Sequence, residues 1–420
     1  MNNVVSLVPY YGGASSMVEV MRYLMESAHE LGCTKLVETM SGSGVISINR
    51  NTLYFPHATL IEMDKGMGTL LKAMTDPVLF SQFITRVKMM EPSPDKFRLY
   101  KSWKQNQFSI PGLKLPLADI AEAQYYLSCL SRNGTQQGYK ADTIIKDQFG
   151  TTTKIQKPID LSNRLPSLYE VRRLLDGCTV YNDNCFNHIL DYIHDEKCLI
   201  VIDPPFLESL RSSTGQYSYE WEDVMHKLLL DVLTKESYTR FVSNEKYTFR
   251  DMVMGKKIKG EYVKDKPRAK VILFGFENEM YTKALTFAET PWYQFILEKP
   301  LLSSNKTTKD GEKELQRKSF WINFLPSDYA KTYVLELNQL RYLTPENLEE
   351  NLQEDRKLKE QLNKKYGKRK NRKLYANVVY KVKCPDKLQL FRKEFKKDRY
   401  GFSLKLLERE LQKRVLKQPE

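Results

Sequence analysis

A doubly wound α/β fold is what the sequence predicts, and three observations predict it. A short strand over 34–39 runs into the glycine turn Ser41-Gly42-Ser43-Gly44. A second strand over 58–63 ends in Glu62-Met63-Asp64, and helical spacing follows through Leu70, Leu71 and Met74. The unbroken apolar run Cys198-Leu199-Ile200-Val201-Ile202 reads as a strand covered on both faces, and it leads straight into Asp203-Pro204-Pro205-Phe206. Strand, glycine turn, helix, strand and acidic residue is the order of a doubly wound unit.

The remaining elements follow in chain order. Tyr10-Tyr11-Gly12-Gly13 is a backbone-permissive loop, and Ser15 or Ser16 is placed to cap the next helix. Met17, Val20, Met21, Leu24, Ala28 and Leu31 recur at helical spacing, with Gly32 as the stop. Residues 76–178 are more polar, and Pro92, Pro94, Pro111, Pro116, Pro158 and Pro166 read as breaks; 117–130 is the clearest helix there. The stretch 131–158, rich in Gly, Thr, Gln and Lys, reads as a mobile loop. A strand over 179–181, a helix over 186–193, a helix over 221–233 and a strand over 239–243 resume the α/β pattern. Residues 320–325 and 332–337 flank a Pro-Ser-Asp turn and read as a hairpin. Residues 245–317 read as a basic, polar insertion without a legible fold, and a charge-rich helical tail begins near 343. The expected organisation is a main domain of 1–75 and 179–342, a subdomain of 76–178 and an extension of 343–420.

Composition narrows the class. With 41% hydrophobic residues over 420 positions, a sizeable core can be buried. No run approaches the length of a membrane span, and the first residues lack the pattern of a signal peptide. The six cysteines show no C-x-x-C pairing, which predicts reduced thiols in a cytoplasmic protein. A formal net charge of +14 favours a polyanionic partner. The five histidines lack partners at ligand spacing, so no catalytic metal is expected, and no G-x-S-x-G nucleophile turn is present. The basic run from Lys364 to Lys370 reads as a solvated helix face or as a phosphate contact.

Asp203-Pro204-Pro205-Phe206 carries the sharpest chemical signal. An exocyclic amine conjugated to a base ring is a poor nucleophile because its lone pair is delocalised. Two fixed acceptors, an Asp carboxylate and the carbonyl of the first proline, favour a pyramidal nitrogen whose lone pair points at an electrophile. The prolines hold those acceptors in place beforehand. An adjacent aromatic stacks on a base taken out of its helix. The competing reading is a strand closed by a proline turn with an ordinary packed Phe. Ser41, Gly42 and Gly44 allow a ligand to approach the backbone, although the turn is also compatible with a plain tight bend. Glu62 can accept two ribose hydroxyls, and otherwise reads, with Asp64, as a charge at a helix start.

In order and spacing these segments resemble the Dam-like family of adenine-specific DNA methyltransferases. The resemblance runs over residues 8–340, with gaps, through Pro9-Tyr10-Tyr11-Gly12-Gly13, Glu38-Thr39-Met40-Ser41-Gly42-Ser43-Gly44, Glu62 and Asp203-Pro204-Pro205-Phe206. Tyr126-Leu127 through Arg132-Asn133-Gly134 looks like the family's loop near DNA, Tyr181-Asn182-Asp183-Asn184 like its stretch over the cofactor adenine, and Phe241-Val242-Ser243-Asn244 like its next strand. The resemblance implies a Rossmann-like, seven-stranded methyltransferase sheet with an inserted, mainly helical DNA-recognition subdomain and a basic C-terminal extension. It implies S-adenosyl-L-methionine as cofactor, held by Tyr10, Gly12, Gly13, Glu38, Ser41, Gly42, Gly44, Glu62, Asp183, Asn184 and Asp203. It implies double-stranded DNA as partner, with Arg132, Asn133 and Gly134 on it and a flipped adenine held by Asp203, Pro204, Pro205 and Phe206. A restriction endonuclease partner is compatible with this reading, and no membrane or metal partner is expected. The chain departs from the family at Ala14, where lysine is usual, at Phe206 in place of tyrosine, at Arg132 in place of an aromatic, and at Glu62 in place of aspartate. Alternatives open at this point are a catalytically inactive DNA-binding relative and an N4-cytosine or RNA base methyltransferase.

Overall fold

The computed structural model describes residues 4–10, 14–109, 114–131, 134, 136–139, 143–146, 152–155, 161–205, 207, 221–235, 238–243, 260–300, 315–328 and 340–366. A 3-10 turn, Ala14–Met17, leads into helix α1 (Val18–Glu30). The helix stops at Gly32, whose φ of +96° lets the Cys33 N–H return to the Ala28 carbonyl at 3.0 Å. The chain forms two compact units, Met1–Glu26 with Thr34–Cys185, and Ser27–Cys33 with Phe186–Glu420. Residues 76–178 fall within the first of these units.

In the first unit, β1 (Lys35–Thr39) leads through the one-turn helix α2 (Val45–Ile48) to β2 (Ala58–Ile61) and then α3 (Lys65–Thr75). β1 and β2 are parallel, Leu36 opposite Ala58 and Thr39 opposite Ile61. Both are buried along nearly their whole length, as an apolar strand covered on two faces requires. Four helices follow: α4 (Pro77–Lys88), α5 (Pro94–Gln105), α6 (Leu117–Leu130) and α7 (Leu165–Leu174). Of the prolines expected to break structure here, Pro92 does lie between helices, Pro94, Pro116 and Pro166 stand at helix starts, and Pro111 and Pro158 lie outside the described residues. Pro77 and Pro94 open their helices behind Asp76 and Ser93, whose side chains cap the first turn; Pro116 precedes α6, and Pro166 lies in the first turn of α7. Proline lacks an N–H that the first turn does not use, so it costs nothing there.

Helix α6 is the axis of this segment. Nearly all its residues are buried, and it packs against α3, α4 and α5. Its buried Glu122 is satisfied within the unit: it accepts from Tyr100 Oη at 2.7 Å and pairs with Lys96 Nζ at 2.8 Å. The expected loop over 131–158 contains an antiparallel pair, β3 (Thr143–Lys146) and β4 (Thr152–Ile155). Strand β5 (Thr179–Tyr181) then pairs parallel with β2, giving this unit three parallel strands.

In the second unit, α8 (Ile189–Tyr192) precedes β6 (Cys198–Ile202), all five of whose residues are buried. Helix α9 (Asp223–Thr234) follows. The strand expected over 239–243 is β7 (Tyr238–Ser243), and among the described residues it pairs with β8 (Gly260–Asp265) in a separate antiparallel ladder. The parallel neighbour of β6 is β9 (Lys270–Phe276), Leu199 opposite Lys270 and Ile202 opposite Leu273. After α10 (Glu279–Thr286) come β10 (Trp292–Pro300) and β11 (Leu315–Ile322), then β12 (Arg341–Leu343) and α11 (Leu348–Tyr366). The order here is β12-β10-β11-β9-β6, with β11 antiparallel to both β9 and β10.

Two expectations change as a result. The segment read as an insertion supplies β9 and β10, whose Val271–Phe274 and Phe295–Leu297 stretches are buried in the core. The expected hairpin on 320–325 does not use that edge, because β11 already has β9 on one side and β10 on the other; residues 332–337 lie outside the described residues. The aromatic core of this unit includes Phe295 stacked on Phe320 at 4.8 Å and Phe274 on Phe320 at 5.6 Å. Among the described residues the fold class is α/β, with parallel β1, β2 and β5 and the β3-β4 pair in the first unit, and the mixed ladder β12-β10-β11-β9-β6 and the β7-β8 pair in the second; the expected Rossmann-like seven-stranded arrangement is not reproduced. No helix among the described residues is long and apolar enough to cross a membrane.

Candidate active site

The glycine turn after β1 is built by close packing. Gly42 has φ +51°, and a Cβ there would lie 2.7 Å from the Tyr10 ring. Gly44, at φ +68°, caps α2, and its missing Cβ leaves room for Leu60 and Leu71. Ser41 is buried and stitches the turn to β2: its Oγ accepts the Ile61 N–H at 3.0 Å and donates to the Glu38 carbonyl at 2.8 Å. Glu38 faces the start of α2, where its Oε2 accepts the Ser47 N–H at 2.7 Å. Burial pushes its carboxyl up to about 7.

Glu62, one residue beyond β2, is buried beside this turn. Its Oε2 accepts the Gly42 N–H at 2.6 Å, and its Oε1 accepts the Asp64 N–H at 2.8 Å. Burial, and then the Asp64 charge, push Glu62 up to about 8. Asp64 caps α3 through the Met67 N–H at 2.9 Å and pairs with Lys104 of α5 at 2.8 Å. The loop after β5 is tied to the same place. Asn182 Nδ2 donates to the Glu62 carbonyl at 2.8 Å and the Asp64 carbonyl at 3.1 Å, and the Asp183 N–H reaches the Glu62 carbonyl at 3.1 Å. A Cβ on Gly68 would lie 2.4 Å from Asn182 Nδ2, so α3 and this loop are in close contact. Asp183 Oδ1 accepts the N–H of Asn184, which is buried.

The first unit thus brings together Tyr10, Ser41, Gly42, Gly44, Glu62 and Asp183 from four separate stretches. Gly134 joins them: a Cβ there would lie 2.4 Å from the Pro9 carbonyl oxygen and 2.8 Å from the Tyr10 nitrogen. Gly12, Gly13, Arg132 and Asn133 lie outside the described residues. Lys104 and Asn182 were missing from the sequence-based set. Lys104 sits among other lysines on a polar helix and carries no local signal, whereas Asn182 stood within the quoted Tyr181-Asn182-Asp183-Asn184 stretch.

In the second unit, β6 ends and the chain enters Asp203, Pro204 and Pro205, of which Pro204 is buried and the others partly exposed. Phe206 lies outside the described residues. The Asp203 charge acts on the buried Tyr281 and on the partly exposed Lys318. It pushes the Tyr281 hydroxyl of α10 further above its ordinary range, after burial. It also supports the ammonium of Lys318 on β11, which burial otherwise pulls down to about 8. Lys318 Nζ stands 4.5 Å from the centre of the Phe276 ring on β9. Tyr281 Oη lies 2.6 Å from His226 Nδ1 of α9.

This half presents a carboxylate and a proline carbonyl at the carboxyl end of a parallel strand pair, where open α/β sheets place their ligands. Among the described residues, no group of three or more His, Cys, Asp or Glu side chains could hold a metal ion, and the five cysteines are buried and free. A cavity of about 350 Å³ in the first unit, bordered by Arg22, Glu26 and Arg50, is a separate feature. The Arg50 guanidinium there is committed to the carbonyls of Ser47, Phe55, Pro56 and Leu174. No protein-family model and no curated protein matches the chain.

Proposed function

We propose that this chain is an S-adenosyl-L-methionine-dependent methyltransferase that modifies the exocyclic N6 of adenine in double-stranded DNA. The observation that carries the reading is the ending of a fully buried strand, β6, in Asp203-Pro204-Pro205. Under this reading Asp203 and the Pro204 carbonyl accept the two amino hydrogens of a flipped base, leaving the nitrogen lone pair directed outward. Phe206 stacks on the base. The Lys318 ammonium and the buried Tyr281 hydroxyl lie within the field of the Asp203 carboxylate, so its charge is part of a local electrostatic set. After transfer the nitrogen carries a positive charge, and its proton leaves along the hydrogen bond to Asp203 towards solvent.

Groups of the first unit support a nucleoside cofactor under this reading. Glu62 is a carboxylate at the carboxyl end of the second parallel strand, with lone pairs beyond the two N–H groups it already accepts. Gly42 is buried against the Tyr10 ring, which lies where a Cβ would stand, so the two move as one surface. Glu62 would hold the ribose, Tyr10 and Gly42 the body of the cofactor, and Asp183 and Asn184 its adenine end. When bound, the cofactor supplies a methyl group on a sulfonium. The choice of adenine, of duplex DNA and of a methyltransferase-type sheet comes from the family resemblance and the +14 net charge. A cytoplasmic location and a restriction endonuclease partner belong to the same reading.

Asp203→Ala should lower incorporation of tritiated methyl into duplex DNA by at least about 10²-fold while leaving the melting temperature near that of the wild type. Incorporation that survives the change removes Asp203 from the chemistry and the main support from the reading.

A further inference from the structure

Lys104 stands where the helical segment meets the carboxylates at the end of β2. It lies on α5, and its ammonium donates to Asp64 Oδ2 at 2.8 Å and to Gln124 Oε1 of α6 at 2.8 Å. The side chains of Lys104 and Asp64 are 16% and 7% exposed, so solvent screens the pair weakly. Asp64 donates its N–H to Glu62 Oε1, and Glu62 Oε2 accepts from Gly42. A continuous path of bonded groups therefore runs from α5 through Asp64 and Glu62 to the glycine turn under Tyr10.

Two adjacent buried carboxylates repel each other, and Lys104 is the cation that offsets this: the Asp64 charge disfavours ionised Glu62, and the Lys104 charge favours it. The packing around the path leaves little slack. A Cβ on Gly66 would lie 2.4 Å from Gln124 Oε1 and 2.9 Å from the Phe108 ring, so the first turn of α3 is seated against α6 and the end of α5. The competing account is that Lys104 simply pins α5 to α3. That account requires charge and length at this position, but gives no reason for the ionisation of Glu62 to follow it.

We propose that Lys104 is a positioning residue for cofactor binding, which fixes Asp64 and through it orients Glu62, and so couples the helical segment to the glycine turn. The inference rests on the methyltransferase reading. Its energetic consequence is reciprocal: whatever α5 gains or loses on binding a target is felt as a change in cofactor affinity, and the converse.

The test is calorimetric binding of S-adenosyl-L-methionine to the full chain between roughly pH 6 and 9, in the wild type and in Lys104→Met, Lys104→Gln and Lys104→Arg. Removing the charge should weaken binding about tenfold or more and move the midpoint of its pH dependence upward, while Lys104→Arg stays close to the wild type. Melting temperatures identify a variant that fails to fold. Lys104→Gln, which can still donate to Asp64, carries the test if Lys104→Met is such a variant. Unchanged affinity and midpoint in the neutral variants overturn the proposal. So does weaker binding at an unmoved midpoint, the mark of a structural pin. A wild type that binds no cofactor at any pH instead overturns the methyltransferase reading, and this inference with it.

Discussion

Replacing Glu62 by glutamine isolates the cost of a carboxylate held away from water. Burial and the neighbouring Asp64 push Glu62 from its ordinary 4.5 up to about 8. The gap, 8 − 4.5, is about 3.5 pH units, which at 1.36 kcal/mol per unit is on the order of 5 kcal/mol. Because the folded value lies above the unfolded one, the associated stability is fully present below about pH 4.5 and is lost as pH rises through 8. Glu38, pushed up to about 7, contributes with the same sign in wild type and variant, so it cancels in their difference. Glutamine cannot accept from both Gly42 and Asp64, which costs about 1–3 kcal/mol at every pH. Glu62→Gln should therefore be the less stable protein near pH 5 and gain several kcal/mol on the wild type by about pH 9. Native-state hydrogen exchange of peptides covering β1 and β2, corrected for intrinsic exchange rates, reads this unit alone. A stability difference that stays flat across the range refutes the account of Glu62 as a carboxyl whose ionisation burial disfavours.

Two further substitutions probe how the first unit is held. Asp76→Ala removes the oxygen that accepts both the Val78 and Leu79 N–H groups at 2.9 Å, and should cost about 1 kcal/mol in urea unfolding; no loss would mean that Pro77 alone starts α4. Gly42→Ala puts a Cβ 2.7 Å from the Tyr10 ring at φ +51°, and should cost at least about 1–2 kcal/mol and lower the melting temperature. A neutral result there would show that Tyr10 does not rest on this turn.

The parts of the fold governed by local chemistry were legible. Gly32 ends α1, Gly42 and Gly44 make the turn after β1, and the apolar run of β6 is covered on both faces, because each follows from sterics or from an unbroken hydrophobic pattern. What was misread depended on partners far along the chain. Val271–Phe274 carries the same apolar signal as β6, but it was averaged with the basic residues around it and taken for part of an insertion. The strand expected over 239–243 is present, yet it pairs with β8 in its own ladder, a partner some twenty residues further along the chain. Prolines are ambiguous for a similar reason, since the same residue that ends one helix starts another when a capping Asp or Ser precedes it. Within the candidate site, the glycines and Glu62 declared themselves by type and position. Lys104 did not, because its role comes from a contact with Asp64 forty residues earlier in the chain.

The account's central claim is that the oxygens at the end of β6 receive the amino group of adenine for methylation. Its most direct test is nucleoside analysis of DNA and RNA from a host lacking adenine methylation, with the wild-type chain or Asp203→Ala expressed. The account predicts N6-methyladenine in DNA from cells with the wild type and none above background with the variant. N4-methylcytosine in its place, methylation confined to RNA, or no methylated base despite a folded wild-type protein would contradict it.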